Sequence, residues 1–210
     1  MRRRRSREPQ PLTIEYVAKS TGDSPDQTLT ITNNTETAVR PTLEFTAFNM
    51  YGSVMPDIET RTVLGTHLGA ALLPGHARVQ DILRFDGPAA HDVRGVQVRI
   101  TEVEEIEHPP MDEPMRAVMV DLDQKATLDP EDFWGVGVAN ANPFGVQVRV
   151  ALVAFEDKVG DNPRQVEDVV TLEGDVEVAS QSHEVIWLPD NVRGLFHDVA
   201  WCLVPQTLTS

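Results

Sequence analysis

The chain has 210 residues, 40% of them hydrophobic, a formal net charge of −15 and a single cysteine. That length holds one large domain or two of about 100 residues, and the apolar content excludes a wholly disordered chain. The acid excess excludes general nucleic-acid binding by the body of the protein, since phosphate contacts need a basic face, and the lone Cys202 excludes an internal disulfide.

Residues 1–9 come first and stand apart. Arg2, Arg3, Arg4, Arg5 and Arg7 precede any acid, and residues 8–210 carry a net −20 without them. A basic run of this kind is expected to be a disordered tail, and the five arginines are candidates for contact with an acidic partner, an anionic membrane or nucleic acid. Glu8-Pro-Gln-Pro11 follows where an export signal needs an apolar run. The expected placement is therefore cytoplasmic or virion-associated. No apolar stretch has the length of a membrane helix.

Short β-rich runs separated by turn residues follow. Strands are predicted at Leu12–Ala18, Gln27–Asn33, Val39–Met50, Arg61–Leu64, Ala77–Phe85 and Gly95–Glu105. Alternation is clearest in the last, where Val96, Val98 and Ile100 share one face. Glu107-His-Pro-Pro-Met-Asp-Glu-Pro114 reads as a stiff acidic linker. Beyond it, strands are predicted at Met115–Lys125, Gly135–Asn140, Val146–Glu156, Val166–Glu173, His183–Leu188 and Asp198–Val204. Asp129-Pro130 starts one short helical turn and Pro189–Gly194 another, so the chain is expected to be all-β.

The second half repeats the first. Leu29–Phe48 lies over Val136–Phe155 at an offset of 107 residues, pairing Asn33 with Asn140, Val39 with Val146 and Ala47-Phe48 with Ala154-Phe155. At the same offset His76 falls on His183, and His91-Asp-Val93 recurs as His197-Asp-Val199 at 106. The expected architecture is two tandem immunoglobulin-like β-sandwich domains related by internal duplication, over 10–106 and 115–206, joined by 107–114.

Three passages in the first half carry a family resemblance: Thr28-Leu-Thr-Ile-Thr-Asn-Asn-Thr35, Leu43-Glu-Phe-Thr-Ala-Phe-Asn-Met-Tyr-Gly52 and Leu72-Leu-Pro-Gly-His-Ala-Arg-Val79. Together they resemble the bacterial FxLYD-type immunoglobulin-like module. Asn49-Met-Tyr-Gly52 stands where that family has an Asp-containing turn. The resemblance implies a non-catalytic accessory or binding module, often extracytoplasmic. A two-domain chain of this length also looks like a pilus chaperone, whose function implies a basic cleft for a subunit's carboxylate.

Candidate chemistry is sparse. None of the histidines (His67, His76, His91, His108, His183, His197) stands at metal-ligand spacing, and nucleotide loops and a nucleophile elbow are absent. No cofactor is expected. Adjacent residues of a strand point to opposite faces, so the His-Asp pairs are expected in turns rather than as dyads. The acids Glu102, Glu104, Glu105 and Glu107, with Asp112 and Glu113, are either a solvated strand end or oxygen ligands for calcium. Asn33-Asn-Thr35 matches a glycosylation sequon. Trp134 and Trp187 are either core residues or a sugar- or peptide-binding platform. The function read from these features is a non-enzymatic structural or protein-binding module acting through loops and strand edges, in a homo-oligomer or larger assembly. The competing reading is a ligand- or metal-binding hydrolase with its site at the domain junction, around Glu105, His108 and Asp112.

Overall fold

The computed structural model describes residues 10–18, 26–107, 115–155, 166–172, 174–193 and 201–208. They form an all-β protein of several antiparallel sheets, with helix confined to short turns. The first half contributes β1 (Leu12–Val17), β2 (Gln27–Asn33), β3 (Ala38–Asn49), β4 (Glu59–Thr62), β5 (Arg78–Asp86) and β6 (Val93–Ile106). The second contributes β7 (Arg116–Val120), β8 (Gly135–Asn140), β9 (Val146–Phe155), β10 (Val166–Thr171), β11 (Val176–Val178), β12 (Ser182–Trp187), α1 (Asp190–Arg193) and β13 (Trp201–Leu208).

Period-two alternation decides which face of each strand is buried. In the first half one sheet has the order β1-β2-β5-β4 and the other pairs β3 with β6. Leu29 and Ile31 of β2 and Leu83 and Phe85 of β5 meet Val39, Leu43 and Ala47 of β3 and Val96 of β6 in one buried core. In the second half the order β12-β8-β7 faces a sheet centred on β9, which pairs with β10, β11 and β13. Val136 and Val138 there meet Val146, Val148, Val150 and Leu152. Each such side chain contributes roughly 1.5–3 kcal/mol by leaving water.

The pairings correspond between the halves. Thr32 lies between Thr13 and Arg78, as Ala139 lies between Arg116 and His183. Leu43 faces Ile100, as Val150 faces Pro205. Val39 bridges Leu73, as Val146 pairs with Val178. The offset of 107 slips to 105 after β3 and β9, because the second connection to the next paired residue is two residues shorter. His76 (φ 59°) therefore corresponds to Gln181 (φ 52°), and His183 to Arg78. The expected match of His76 with His183 is corrected accordingly. One strand also changes sheets, since β4 pairs with β5 whereas β10 pairs with β9.

Asn33 and Asn140 do the same work in the two halves. The Asn33 amide donates to the carbonyls of Thr37 (2.8 Å), Leu73 (3.1 Å) and Pro74 (3.0 Å), and its oxygen accepts Thr35 N–H at 3.0 Å. Asn140 donates to Phe144 (2.7 Å), Val178 (3.2 Å) and Ala179 (3.1 Å), and accepts Asn142 N–H at 3.0 Å. Each side chain ties the turn after its own strand to a distant one, and in the first half it adds a donor to carbonyls that backbone N–H groups already reach, Leu73 O from Val39 and Pro74 O from Ala77. Asn33 is 1% exposed, so the acceptor side chain of the sequon is sealed inside the fold while Asn34 beside it is exposed.

Some expectations shift at strand ends. The predicted strand Met115–Lys125 stops at Val120, because Asp121–Lys125 turns back with Asp121 N–H on Lys125 O and Gln124 at φ 63°. β11 is too short to leave a periodic signal. The His91-Asp92 pair lies in the single helical turn Ala90–Asp92, as its turn reading required. His197-Asp198 lies outside the described residues.

The halves are stitched together over more than a linker. Leu64 and Ile82 pack against Ala151, Val153, Val166 and Val169 in a third buried cluster. Leu72 N–H donates to Thr207 O (2.9 Å), the Arg84 guanidinium to Val169 O (3.3 Å) and the Arg149 guanidinium to Leu64 O (3.2 Å). Asp81 braces this junction. Its buried carboxylate accepts N–H groups of Leu64 (2.9 Å), Thr66 (3.3 Å) and Ile82 (2.7 Å), and the Thr66 hydroxyl. Burial pushes the Asp81 carboxyl up, against the pull of those donors.

Candidate binding surface

Among the described residues, the outer face of the β12-β8-β7 sheet is an exposed sheet face of apolar side chains. Its inner face carries Ala117, Met119, Val136, Val138 and Ile186 into the core. Alternation therefore sends their neighbours outward, and the register arranges these in three cross-strand rows. The rows are Arg116–Ala139–His183, Val118–Gly137–Val185 and Val120–Gly135–Trp187. Val118 is 46% exposed and Trp187 47%.

Two glycines make the middle of this face flat. A Cβ on Gly135 would stand 3.1 Å from Trp187 Cε3, and one on Gly137 would stand 3.1 Å from Val120 Cγ1. The flanking side chains thus lean over the central strand from both sides and form a continuous apolar layer. Ala126 bridges Val120 and Thr127 N–H donates to Met119 O (2.9 Å), so the same register carried one step on sets Leu128 beside Val118. Leu128 is 98% exposed. Leu122, at the tip of the Asp121–Lys125 turn, is exposed too.

The matching face of the first half is built differently. Its rows are Thr13–Thr32–Arg78, Glu15–Thr30–Gln80 and Val17–Thr28–Ile82. Ile82 holds the position that Trp187 holds in the second half, and it is buried against β9 and β10. The same sheet face is polar where it meets water and apolar where it meets another sheet. In the second half it is apolar and exposed, which a soluble surface normally avoids at this density.

Charge is divided along this face. Arg116 and His183 form one end. At the other, the turn and the segment leading into β8 carry Asp121, Asp123, Asp129, Glu131 and Asp132, with Lys125 paired to Asp123 at 3.2 Å. Trp134, the other platform candidate, takes no part: the Arg193 guanidinium lies over its ring at 3.8 Å.

The remaining candidates separate. Arg2, Arg3, Arg4, Arg5 and Arg7 lie outside the described residues, as do His108, Asp112 and Glu113. Glu105 is exposed on β6, opposite Val39. Glu102 and Glu104 line a shallow depression of about 180 Å³ with Arg40, Thr42, Leu68 and Gly69, and Glu104 pairs with Arg40 at 3.1 Å. No group of three or more metal-ligating side chains occurs among the described residues. His67 is tied to Thr62, whose N–H donates to His67 Nδ1 (3.2 Å), and its ring tilts against Phe45. Burial lowers its pKa. A second exposed apolar feature is the tip after β3, where Asn49 accepts the N–H groups of Tyr51 (2.9 Å) and Ser53 (3.0 Å) and leaves Met50 and Tyr51 in solvent. No helix among the described residues is long and apolar enough to cross a membrane.

The sequence located Trp187 but not the face around it. Two signals were available: Gly135 and Gly137 alternate within a strand, and Trp187 alternates with a core Ile186 and so must point outward. No family model, curated protein or solved structure matches the chain.

Proposed function

We propose that this chain is a non-enzymatic protein-binding or structural module. In this reading it consists of two immunoglobulin-like sandwiches related by duplication, as in FxLYD-type modules, and it works by burying the outer face of its β12-β8-β7 sheet against another polypeptide. The matched pairings of the two halves and the shared asparagine locks support the duplication. One observation carries the function: an apolar layer of exposed Val118, Trp187 and Leu128 around a half-buried Val185 stands on a face whose counterpart in the first half is polar except where it docks. A flat, glycine-floored surface suits a broad polypeptide contact better than a small molecule, which needs a concave site. Trp187 is the natural anchor, because a half-exposed tryptophan contributes a large apolar area to a contact at little entropic cost.

The test is affinity capture with the immobilised full-length chain, comparing wild type with the double variant Val118→Ser/Trp187→Ser and with Tyr51→Ser at the hairpin tip. The double variant is expected to lose the polypeptides that wild type retains, while Tyr51→Ser keeps them. Equal recovery by the double variant would refute the assignment of this face.

A further inference from the structure

We infer that the occupant of this face is the same face of a second copy of the chain, related by a twofold axis lying across the strands. The inference rests on the binding-surface reading above and names its partner. Within one chain, sheet faces already pack on sheet faces: Ile82 and Leu64 lie on Ala151, Val153 and Val169. Those faces are consumed by that junction. The outer face of β3 and β6, which corresponds to the docked face of β9, is polar and offers Glu44 paired with Arg99 in place of Ala151. A head-to-tail continuation of the internal junction therefore has no apolar partner waiting for Trp187. The face that does match Trp187 is its own, and a surface that meets itself does so through a twofold axis.

Charge selects the direction of that axis. An axis along the strands, through β8, would set Arg116 of each copy on His183 of the other and the acidic end on itself. An axis across the strands, passing between the Val118 and Val120 rows, reverses the second copy. It sets the row Val118–Gly137–Val185 of each copy on the row Val120–Gly135–Trp187 of the other, in which Val120 is itself buried (3% exposed) and Trp187 presents the contact. Trp187 then falls on Val185 of its partner, and because both lean over the glycines of β8 the two faces meet flat. The Arg116–His183 end of each copy lies over the turn bearing Asp121 and Asp123. This arrangement joins opposite charges at both rims of an apolar centre, which fixes orientation as well as contact.

Sedimentation equilibrium of the full-length chain tests this, with the urea midpoint of each variant as the folding control. Wild type is expected at twice 23.3 kDa in the micromolar range. Trp187→Ser should raise the dimer dissociation constant about 30-fold or more, as loss of a central aromatic anchor does, without lowering the urea midpoint measured at a dilution where wild type is itself monomeric, so that stabilisation by dimerisation does not enter. Arg116→Glu and Asp123→Arg should each weaken the dimer about fivefold, and the two changes in one chain should restore it, a recovery that a merely structural role for either residue would not produce. A wild-type monomer, or a dimer indifferent to Trp187→Ser, overturns the self-pairing. In either case capture by the Val118→Ser/Trp187→Ser variant separates the two ideas: if capture still depends on the face, only the second-copy assignment has failed, and if it does not, the binding-surface reading has failed with it.

Discussion

Replacing Asn33 or Asn140 by alanine should destabilise the protein by similar amounts, although the two residues lie in different halves. Each side chain donates to three carbonyls through one amide nitrogen and accepts an N–H through its oxygen. A net hydrogen bond is worth about 1 kcal/mol, and a buried group left unpaired costs about 1–3. With two N–H donors and one acceptor removed from a nearly buried site, the loss should be about 3 kcal/mol for each variant. That corresponds to a fall in Tm of about 6–12 °C for a chain of this size. Urea unfolding followed by tryptophan fluorescence measures the loss directly. Asn→Asp is the sharper test at either position, because it keeps the shape but sets a carboxylate against three carbonyls. At neutral pH it should cost at least as much as alanine. A cost below about 1 kcal/mol for alanine, or an aspartate variant as stable as wild type, would refute the role given to these side chains.

The all-β class and the course of most strands were legible because alternation survives in runs such as Val96–Ile100 and because Asn33 and Asn140 punctuate equivalent turns. The repeat revealed that these asparagines correspond but not what they hold, since their acceptors at Leu73, Pro74, Val178 and Ala179 are some 40 residues away in sequence. The junction between the halves was hidden for a related reason. Ile82, Val153 and Val169 read as ordinary strand residues, and period two says only that they face opposite to the core, not that another sheet covers them. The binding face is half visible in the sequence: Trp187 stands out as a candidate, but its neighbours Val118 and Leu128 are brought onto the same face by pairing register and turn geometry, neither of which composition encodes.

Three further outcomes follow from the packing. Gln27 is 1% exposed and neither end of its amide has a partner among the described residues, so Gln27→Met should raise stability by about 1 kcal/mol in urea unfolding. Val153→Asp places a charge in the junction cluster; wild type should unfold in one transition, and the variant should lose about 3 kcal/mol or more and show two. His67 has a folded pKa below the ordinary 6.5, so the unfolded chain binds the proton more readily; its contribution is present above pH 6.5 and is lost as pH falls through the folded value. His67→Phe should flatten that slope in ΔG measured between pH 7 and 5, whereas an unchanged slope would assign it to other groups.

The claim that matters most is that the outer face of β7, β8 and β12 is covered by another polypeptide. A photocrosslinking amino acid at position 118, compared with one at the exposed position 101 on β6, tests it directly, with the attached residues identified by mass spectrometry. Efficient crosslinks are expected from position 118 to a defined polypeptide segment, residues 118–122 of a second copy foremost, and few from position 101. Equal, scattered labelling from both positions would contradict it.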